Sequence, residues 1–527
     1  MKKQTKVMAT LSTAALLALG FSAVSMAAGW DNSTGAWRYL NNDGTEVVDE
    51  WKSANGNWFY LDSDGVMATD KLIEDQSTSG KTKYYYVDQY GAMVKNTWKA
   101  VAMDDDDNTD LDAEYWWYYF GNDGKAYTTE DDKKLTKSKV KTINGLKYGF
   151  DAEGHMLYGW TLADDHTQKD DEKQRWIDAT YYFNGWNDGH AQTGWAQITV
   201  EDNNDETHDY WFYFNGDGEK QAGKRKKING VYYVFADDGH MIDEWAIQEG
   251  GNTWSDALST TSDTDKITYL NGDGAQRKNT WIYAIPDENW IPDDYEDDNY
   301  RWFYAAKDGK LVSDTTKKIN GKTYAFDSYG RMKTGFVKLD NNKEYVGQSG
   351  AGDWTRQTWI AGSFTKNDGT VVSREGSDTL RYFSNDEEKD GAMKTGYQNI
   401  ELDDDTYQFY FASNGDAKTE YNSKINKYTI AGMIIKPSND DDNNYAAVVV
   451  GSDKKPETFY TDYDRMEKNS NMYLVNKQGT LVKNKTVKDE NDQYWKTDAS
   501  GKIVNKAANK EEYDGLKKKD SNGHSQW

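Results

Sequence analysis

Hydrophobic and polar positions alternate along this chain in short aromatic bursts, each closed by a polar turn. The phrase reads W-R-Y-L-N-N-D-G at Trp37–Gly44, W-F-Y-L-D-S-D-G-V-M at Trp58–Met67 and Y-Y-Y-V-D-Q-Y-G-A-M at Tyr84–Met93. It returns at Trp117, Tyr181, Trp211, Trp302 and Leu380. Period-two alternation between turn signals predicts strands, and successive side chains of a strand point to opposite faces. In Trp117-Tyr118-Tyr119-Phe120, one pair is therefore expected to pack inward while the other presents its rings outward. Asn-Gly pairs flanked by apolar residues predict type I′ hairpin turns, which need two residues tolerant of positive φ. Three such hairpins are near-copies, K-T-I-N-G-L-K-Y-G-F-D at Lys141–Asp151, K-K-I-N-G-V-Y-Y-V-F-A-D at Lys226–Asp237 and K-K-I-N-G-K-T-Y-A-F-D at Lys317–Asp327. Each runs on through an x-x-G-x-M turn, ending at Met156, Met241 and Met332, to an aromatic residue at Trp160, Trp245 and Phe336.

A longer period lies above the hairpin. Trp37, Trp117, Trp211 and Trp302 mark first hairpins, Trp58, Tyr148, Tyr233 and Tyr324 second ones, and Tyr85, Tyr182, Tyr269 and Tyr382 third ones. The duplicated unit is thus a triplet of hairpins, near 29–103, 115–200, 210–286 and 301–400, with a divergent stretch at Val337–Thr379. Acidic segments fall between triplets, at Asp104–Asp107, Glu201–Asp209, Asp287–Asp298 and Asp403–Asp405, and are expected to be solvated loops. Lys427–Ile430, Phe459–Met466, Met472–Leu481 and Asp492–Val504 look like degraded repeats within 416–506, and the Lys-rich tail 507–527 is expected to fray. The fold expected is all-β, an elongated β-hairpin repeat solenoid with almost no helix.

Composition narrows the setting. Lys2, Lys3 and Lys6, the apolar run Val7–Val24 and the small residues Ser25 and Ala27 form a secretory signal peptide over 1–28. The mature chain is then secreted and held at the cell surface non-covalently, without a membrane span. An exported chain with no Cys has no disulfides, so stability must come from stacked neighbours. Its 63 basic against 89 acidic residues, a net −26, argue against nucleic acid and other polyanions. The 45 Gly against 4 Pro fit tight turns.

At these residues a family resemblance emerges. The W-Y-Y-L/F…D-G-x-M-x-T-G-W phrase resembles the cell-wall-binding repeats of Gram-positive surface proteins, best known from choline-binding modules. The K-x-I-N-G-K-x-Y-x-F-D hairpins resemble repeats of glucan-binding regions in glucosyltransferases and the carbohydrate-binding repeats of clostridial toxins. The resemblance covers 29–415 and implies a β-hairpin solenoid binding choline, glucans or other glycans. In the choline-binding branch it implies cages of aromatic residues from successive hairpins, often with a Met. The positions that match are Trp51, Trp58, Tyr60 and Met67; Trp98, Trp117 and Tyr119; Trp195, Trp211 and Tyr213; Trp281, Trp302 and Tyr304; and Trp160 and Trp245. The chain departs from the pattern where Glu50, Thr97, Glu244 and Thr280 replace the Gly before Trp, and where Phe336 and Tyr397 replace Trp itself. Such departures count against a regular ladder of cages, and the acidic insertion between Trp98 and Trp117 leaves that pair free to lie apart.

Exposed rings offer flat apolar faces to sugar C–H groups or a negative π face to a quaternary ammonium, worth roughly 0.5–2 kcal/mol per contact. The competing reading is that the rings are simply the core of thin hairpins. Repetition multiplies weak contacts into a grip on a repetitive polymer. No G-x-S-x-G, H-E-x-x-H, Walker or G-x-G-x-x-G pattern occurs, which argues against an enzyme. His155, His190 and His240 follow hairpin-turn glycines and read as a shared structural position, and no acidic loop has the EF-hand order of ligands. Neither a cofactor nor a metal is expected. The reading is a non-catalytic binder of cell-wall glycan or glucan. One alternative is recognition of choline-decorated teichoic acid; another is a scaffold whose acidic loops meet a protein partner.

Overall fold

The computed structural model describes residues 28–76, 80–103, 113–166, 174–202, 204–339, 345–349, 355–365, 371–373, 379–384, 391–402, 405–437 and 444–527. Residues 1–27 of the expected leader and the acidic segment Asp104–Asp107 lie outside these residues, as do 403–404 of the last acidic segment. The chain divides into two units, residues up to Ile242 with Gly250–Ser255, and Asp243–Glu249 with Asp256–Trp527.

Each unit is built from antiparallel hairpins, most of them separate two-stranded sheets. In the first unit Glu50–Ala54 pairs with Asn57–Leu61, Thr97–Ala102 with Tyr115–Phe120, Gly194–Glu201 with Thr207–Phe214 and Lys224–Ile228 with Val231–Phe235. In the second, Thr280–Ala284 pairs with Arg301–Ala305, Thr315–Ile319 with Lys322–Phe326, Gly335–Leu339 with Thr379–Phe383, and Gly396–Leu402 with Asp405–Phe411. The Asn-Gly turns have positive φ at both residues, 50° and 86° at Asn144-Gly145 and 47° and 86° at Asn320-Gly321, as a type I′ turn requires.

The second turn of the repeat is fixed by its first polar residue. Asp62 Oδ1 accepts from the amides of Asp64 and Val66, and Asp88 Oδ1 from those of Tyr90 and Ala92. These carboxylates therefore serve the backbone. Asp151 does the same for His155 and also pairs with its Nδ1 at 2.9 Å, which accounts for a turn histidine as structure.

One amide then ties each hairpin to its predecessor. Met67 N donates to Trp37 O, Met93 N to Trp58 O, Met156 N to Trp117 O and Met241 N to Trp211 O, all at 2.7–2.8 Å. In the second unit Met332 N donates to Trp302 O and Met393 N to Thr323 O in the same way. The methionine side chain lies where a Cβ on the next turn glycine would sit: Met93 Sδ is 2.6 Å from that position at Gly124, and Met156 Cε 2.3 Å at Gly189. This is the physical content of the G-x-M phrase. The glycine of one hairpin is the seat for the methionine of the one before, and a side chain there would both clash and occupy positive φ.

The alternation works as expected in Trp117–Phe120. Tyr118 and Phe120 are 3% and 0% exposed, while Trp117 and Tyr119 remain half-buried. The last ring of the second strand, such as Phe150, Phe183 and Phe235 in the first unit or Phe326 and Phe383 in the second, is fully buried.

Three expectations need correction. The acidic segment Asp287–Asp298 is not simply a solvated loop. It carries α2 (Pro292–Glu296), the fully buried Trp290, and Asp294, which bridges Arg301 and Arg331 at 2.7 and 2.9 Å. Three other short helices occur, α1 (Arg175–Asp178), α3 (Arg356–Ala361) and α4 (Lys510–Lys517). The last lies in the tail expected to fray. Its Tyr513 stacks on Tyr494 at 4.2 Å and meets Trp527 at 4.7 Å, and aromatic burial outweighs the lysine content. Beyond about residue 420 hairpins give way to three-stranded sheets, formed by Tyr445–Val450 with its two neighbours and by Tyr494–Thr497 with its two.

Candidate functional site: aromatic junctions between hairpins

Strand register places the first-strand tryptophan opposite a tyrosine of its own hairpin: Trp51 faces Tyr60, Trp98 faces Tyr119, Trp195 faces Tyr213 and, in the second unit, Trp281 faces Tyr304. The following hairpin adds a second tyrosine. Trp98 lies 5.1 Å from Tyr119 and 4.9 Å from Tyr148, with interplanar angles of 68° and 64°. Trp195 lies 5.2 Å from Tyr213 and 4.8 Å from Tyr233, both at 69°. Trp281 lies 5.3 Å from Tyr304 and 4.7 Å from Tyr324, at 75° and 72°. Trp51 repeats the arrangement with Tyr60 and Tyr85 at 5.2 and 5.1 Å. Phe150, Phe235 and Phe326 lie 5.7–5.9 Å from their tryptophans, inclined by 29–34°, as a floor. Met156 and Met332 pack into the clusters of Trp98 and Trp281, and Met93 and Met241 hold the same repeat position at the other two. All four tryptophans stay half-buried, so each junction is a corner of aromatic planes reaching the surface.

Two other junctions, at Trp245 and Phe336, are closed, and the one at Trp160 is covered in part, its tryptophan remaining half-buried. Trp160 with Tyr182 and Phe212, Trp245 with Tyr269 and Phe303, and Phe336 with Tyr382 and Phe409 repeat the three-ring contact at 4.7–5.4 Å. A tryptophan from an insertion between the two strands of a hairpin is packed onto each. Trp176 of α1 lies against Phe212 at 6.1 Å, Trp290 against Trp245 at 5.3 Å, and Trp359 of α3 against Phe336 at 4.4 Å. Trp245 and Phe336 are consequently 3% and 1% exposed. Trp245 was expected among the ligand-facing rings. Instead its Nε1 donates to Ile285 O at 2.9 Å and its ring is sealed beneath Trp290. Two further junctions fit neither group: Trp30 with Tyr39 and Phe59, and Tyr86 with Tyr118, where Leu72 replaces the tryptophan.

The Trp51 corner has acidic neighbours. Tyr60 has its hydroxyl pKa raised by burial and then by Asp49, Asp75 and Asp62. Asp49 does more than add charge. At three of the four tryptophans that lose the preceding glycine, an Asp or Asn one residue earlier takes the left-handed conformation, φ 49° at Asp49, 48° at Asn96 and 49° at Asn279, while Asp243 before Trp245 does not. Asn279 Oδ1 also accepts the Tyr304 hydroxyl at 3.1 Å. Losing that glycine therefore does not break the junction. Gly159, Gly194 and the Asp/Asn lead-ins make the same turn in two lengths.

The other sequence candidates are placed as follows. Trp98, Trp117 and Tyr119 share one hairpin despite the insertion, Ala100 being paired with Trp117. Trp211 and Trp302 stand beside Trp195 and Trp281 at 6.4 and 6.1 Å, nearly perpendicular, and Trp211 is 43% exposed. Trp302 continues outward through Tyr283 and Tyr300, rings 4.7 and 5.2 Å apart. Trp58 is 42% exposed, paired with Ser53, and Met67 serves Gly91. Tyr304, though in an open corner, is only 5% exposed. The candidate list missed Tyr85, Tyr148, Tyr233 and Tyr324. Their equal place in the repeat was the available signal. Two carboxylate–histidine groups also come together, Asp151, Glu153 and His155, and Asp202, Glu206 and His208. Asp151 and Asp202 each spend one oxygen on their own turn.

Residues 48–98, which hold the complete set Trp51, Tyr60, Tyr85 and Met93, match the family model of the choline-binding repeat. A curated relative, glucosyltransferase-S of Streptococcus mutans serotype c, is 24% identical over 212 residues, which is 40% of this chain. The aligned part spans 11% of that enzyme's length. Among solved structures, choline binding protein F of Streptococcus pneumoniae aligns at 19% identity over 61% of this chain and 99% of its own, TM-score 0.34. The modular autolysin LytC of Streptococcus pneumoniae, in complex with a synthetic peptidoglycan ligand, aligns at 19% identity over 61% of this chain and 53% of its own, TM-score 0.27. No helix among the described residues is long and apolar enough to cross a membrane.

Proposed function

We propose that this protein is a secreted, non-catalytic binder of a repetitive cell-wall polymer. It grips the polymer at the open junctions of Trp51, Trp98, Trp195 and Trp281, and the group received in each corner is a quaternary ammonium such as choline. The observation that carries this reading is the recurrence of one Trp–Tyr–Tyr–Met arrangement four times with nearly constant distances and angles. The closed junctions repeat the same contact distances, and what sets the open four apart is that each tryptophan stays half-buried with a tyrosine, not a phenylalanine, from the next hairpin. Converging π faces favour a cation, at roughly 0.5–2 kcal/mol per ring contact. Each corner alone is weak, and several on one polymer act through effective concentration. Secretion rests on the leader at 1–28.

A second reading has its own observation. The exposed ring stack Tyr300–Tyr283–Trp302 offers flat faces suited to sugar C–H groups, and the likeness to a glucosyltransferase supports a glucan there. Retention of the mature protein on purified sacculi and on insoluble glucan, with free choline as competitor, separates the two. Release from sacculi by millimolar choline is the expected result. Retention on glucan indifferent to choline would replace the first reading by the second, and no retention on either would sink both.

A further inference from the structure

The Trp160 junction differs from the others in what fills the methionine position. Phe214 bridges to Lys220, as Phe150 does to Met156 and Phe235 to Met241. The lysine methylenes take the methionine's seat, with Cδ 2.7 Å from where a Cβ of Gly239 would lie. Lys220 is 9% exposed. Its Nζ donates to the carbonyls of Trp176, Ile177 (2.9 Å) and Asp238 (2.6 Å) and stands 5.5 Å from the centroid of the Trp160 ring. An ammonium has three N–H donors, and here each has a carbonyl acceptor. Among the described residues no carboxylate lies within ion-pair distance of it. Burial pushes its pKa down to about 8, with Asp238 and Asp178 pulling the other way, so the group is charged at neutral pH.

The other lysines that stand over rings do so nearer the surface. Lys99 over Tyr86 and Lys52 over Tyr39 are examples, at 4.8 and 5.3 Å. At Trp160 a buried ammonium meets both an aromatic face and a full set of acceptors. Two of those acceptors belong to α1, the helix that also brings Trp176 onto Phe212.

We propose that the Trp160 junction is an organic-cation site occupied from within: the ammonium of Lys220 is its built-in ligand, held by the Trp160 face and the carbonyls of Trp176, Ile177 and Asp238. The ligand class is a primary alkylammonium, whose three N–H donors match the three carbonyls and whose methylenes fill the methionine seat. The site takes up no ligand from outside while Lys220 is in place, and the lysine fastens α1 over the junction.

Two measurements test this on the full mature chain. In protein labelled with ¹⁵N-lysine, near pH 6.5, one ammonium resonance should be protected from exchange and moved by the Trp160 ring current. Its absence would overturn the proposal. In Lys220→Ala the vacated space should accept propylammonium, raising the unfolding midpoint of the variant by about 2 °C or more at 100 mM salt while wild type in the same salt stays unchanged. A folded Lys220→Ala indifferent to propylammonium would also overturn it. If that variant does not fold, the resonance decides alone. Neither readout involves polymer binding, so both stand or fall separately from the retention assay on sacculi and glucan.

Discussion

At Trp98, Trp195 and Trp281 the tryptophan keeps a half-exposed face between two tyrosines, whereas at Trp245 and Phe336 the equivalent ring is sealed under a tryptophan lent by an insertion. Both kinds of junction use the same hairpins and the same cross-strand pairing, and the left-handed lead-in occurs in both, at Gly335 before Phe336 as at Gly194 before Trp195, though not before Trp245. They differ at two other places. The ring supplied by the next hairpin is Tyr148, Tyr233 or Tyr324 in the open set and Phe212, Phe303 or Phe409 in the closed set. The position after the turn is Met156, Met241 or Met332 in the first, against Lys220, Leu311 or Ala417 in the second. A tyrosine keeps a polar edge that can face water, while a phenylalanine does best under cover. One repeat thus yields surface corners and internal core according to whether an insertion arrives with a plug.

The hardest way to break this comparison is to remove a plug. Trp359→Ala takes a fully buried indole from among Phe336, Phe409 and their neighbours, and should cost about 3–5 kcal/mol by denaturant unfolding of the second unit. Choline affinity of the open corners should be unchanged; a parallel loss there would show that the two sets are not separate. Trp290 sharpens the point. Its indole N–H has no partner among the described residues, whereas Trp359 Nε1 donates to Ile430 O at 3.1 Å. Phenylalanine should therefore be tolerated better at 290 than at 359.

The reverse experiment acts on the corners. Trp98→Ala, Trp195→Ala and Trp281→Ala together should lower retention on choline-bearing sacculi by at least about tenfold, through lost contacts worth roughly 0.5–2 kcal/mol each. Because these rings are half-buried, stability should fall less than for a plug. Equal loss of retention from Trp245→Ala, after correction for folding, would dissolve the distinction between open and closed.

A smaller effect is expected where the repeats lock together. Gly189→Ala would place a methyl 2.3 Å from Met156 Cε at a φ of 59°, so the methionine must move or the turn must strain. A cost of about 1–2 kcal/mol is expected. Gly194→Ala, with positive φ but nothing within 4 Å, separates the backbone share of that cost.

Much of this was legible in the sequence, for stated reasons. Hairpin turns announce themselves through Asn-Gly, and the G-x-M phrase carried the stacking step. The groups Trp98/Tyr119 and Trp195/Tyr213 are cross-strand neighbours that alternation alone could pair. What could not be read was the difference between junctions. Trp176, Trp290 and Trp359 sit in stretches without period, two of them acidic or divergent, and nothing local says that such a tryptophan folds back onto a repeat ring. Trp245 therefore looked like Trp281. Lys220 hid for a related reason, since a lysine at a turn normally means solvent.

Lys220 also gives the closed set a pH signature. Its folded pKa of about 8 lies below the roughly 10.4 of an unfolded lysine. Between those values the unfolded chain holds a proton that the native one has released, so stability rises with pH, by at most roughly 1.4 kcal/mol per unit. Buried tyrosines such as Tyr181, with its pKa raised to about 12, act oppositely above pH 10, where the unfolded phenol ionises first. The difference between wild type and Lys220→Met cancels that contribution. It should grow in favour of wild type from pH 8 to 10 and be flat below pH 7.

The finest test falls on the lead-in shared by both kinds of junction. Asn279 holds φ at 49° and accepts the Tyr304 hydroxyl, which sets one wall of the Trp281 corner. Asn279→Gly keeps the backbone and loses only the hydrogen bond, about 0.5–1.5 kcal/mol. Asn279→Ala loses both and should cost more, since a methyl-bearing residue resists positive φ. If the hydroxyl bond orients the corner, glycine at 279 should weaken choline binding at Trp281 about two- to threefold while barely moving the unfolding midpoint. Equal binding by Asn279→Gly and wild type would mean that the packing of Trp281 against Tyr324 and Phe326 orients Tyr304 without help.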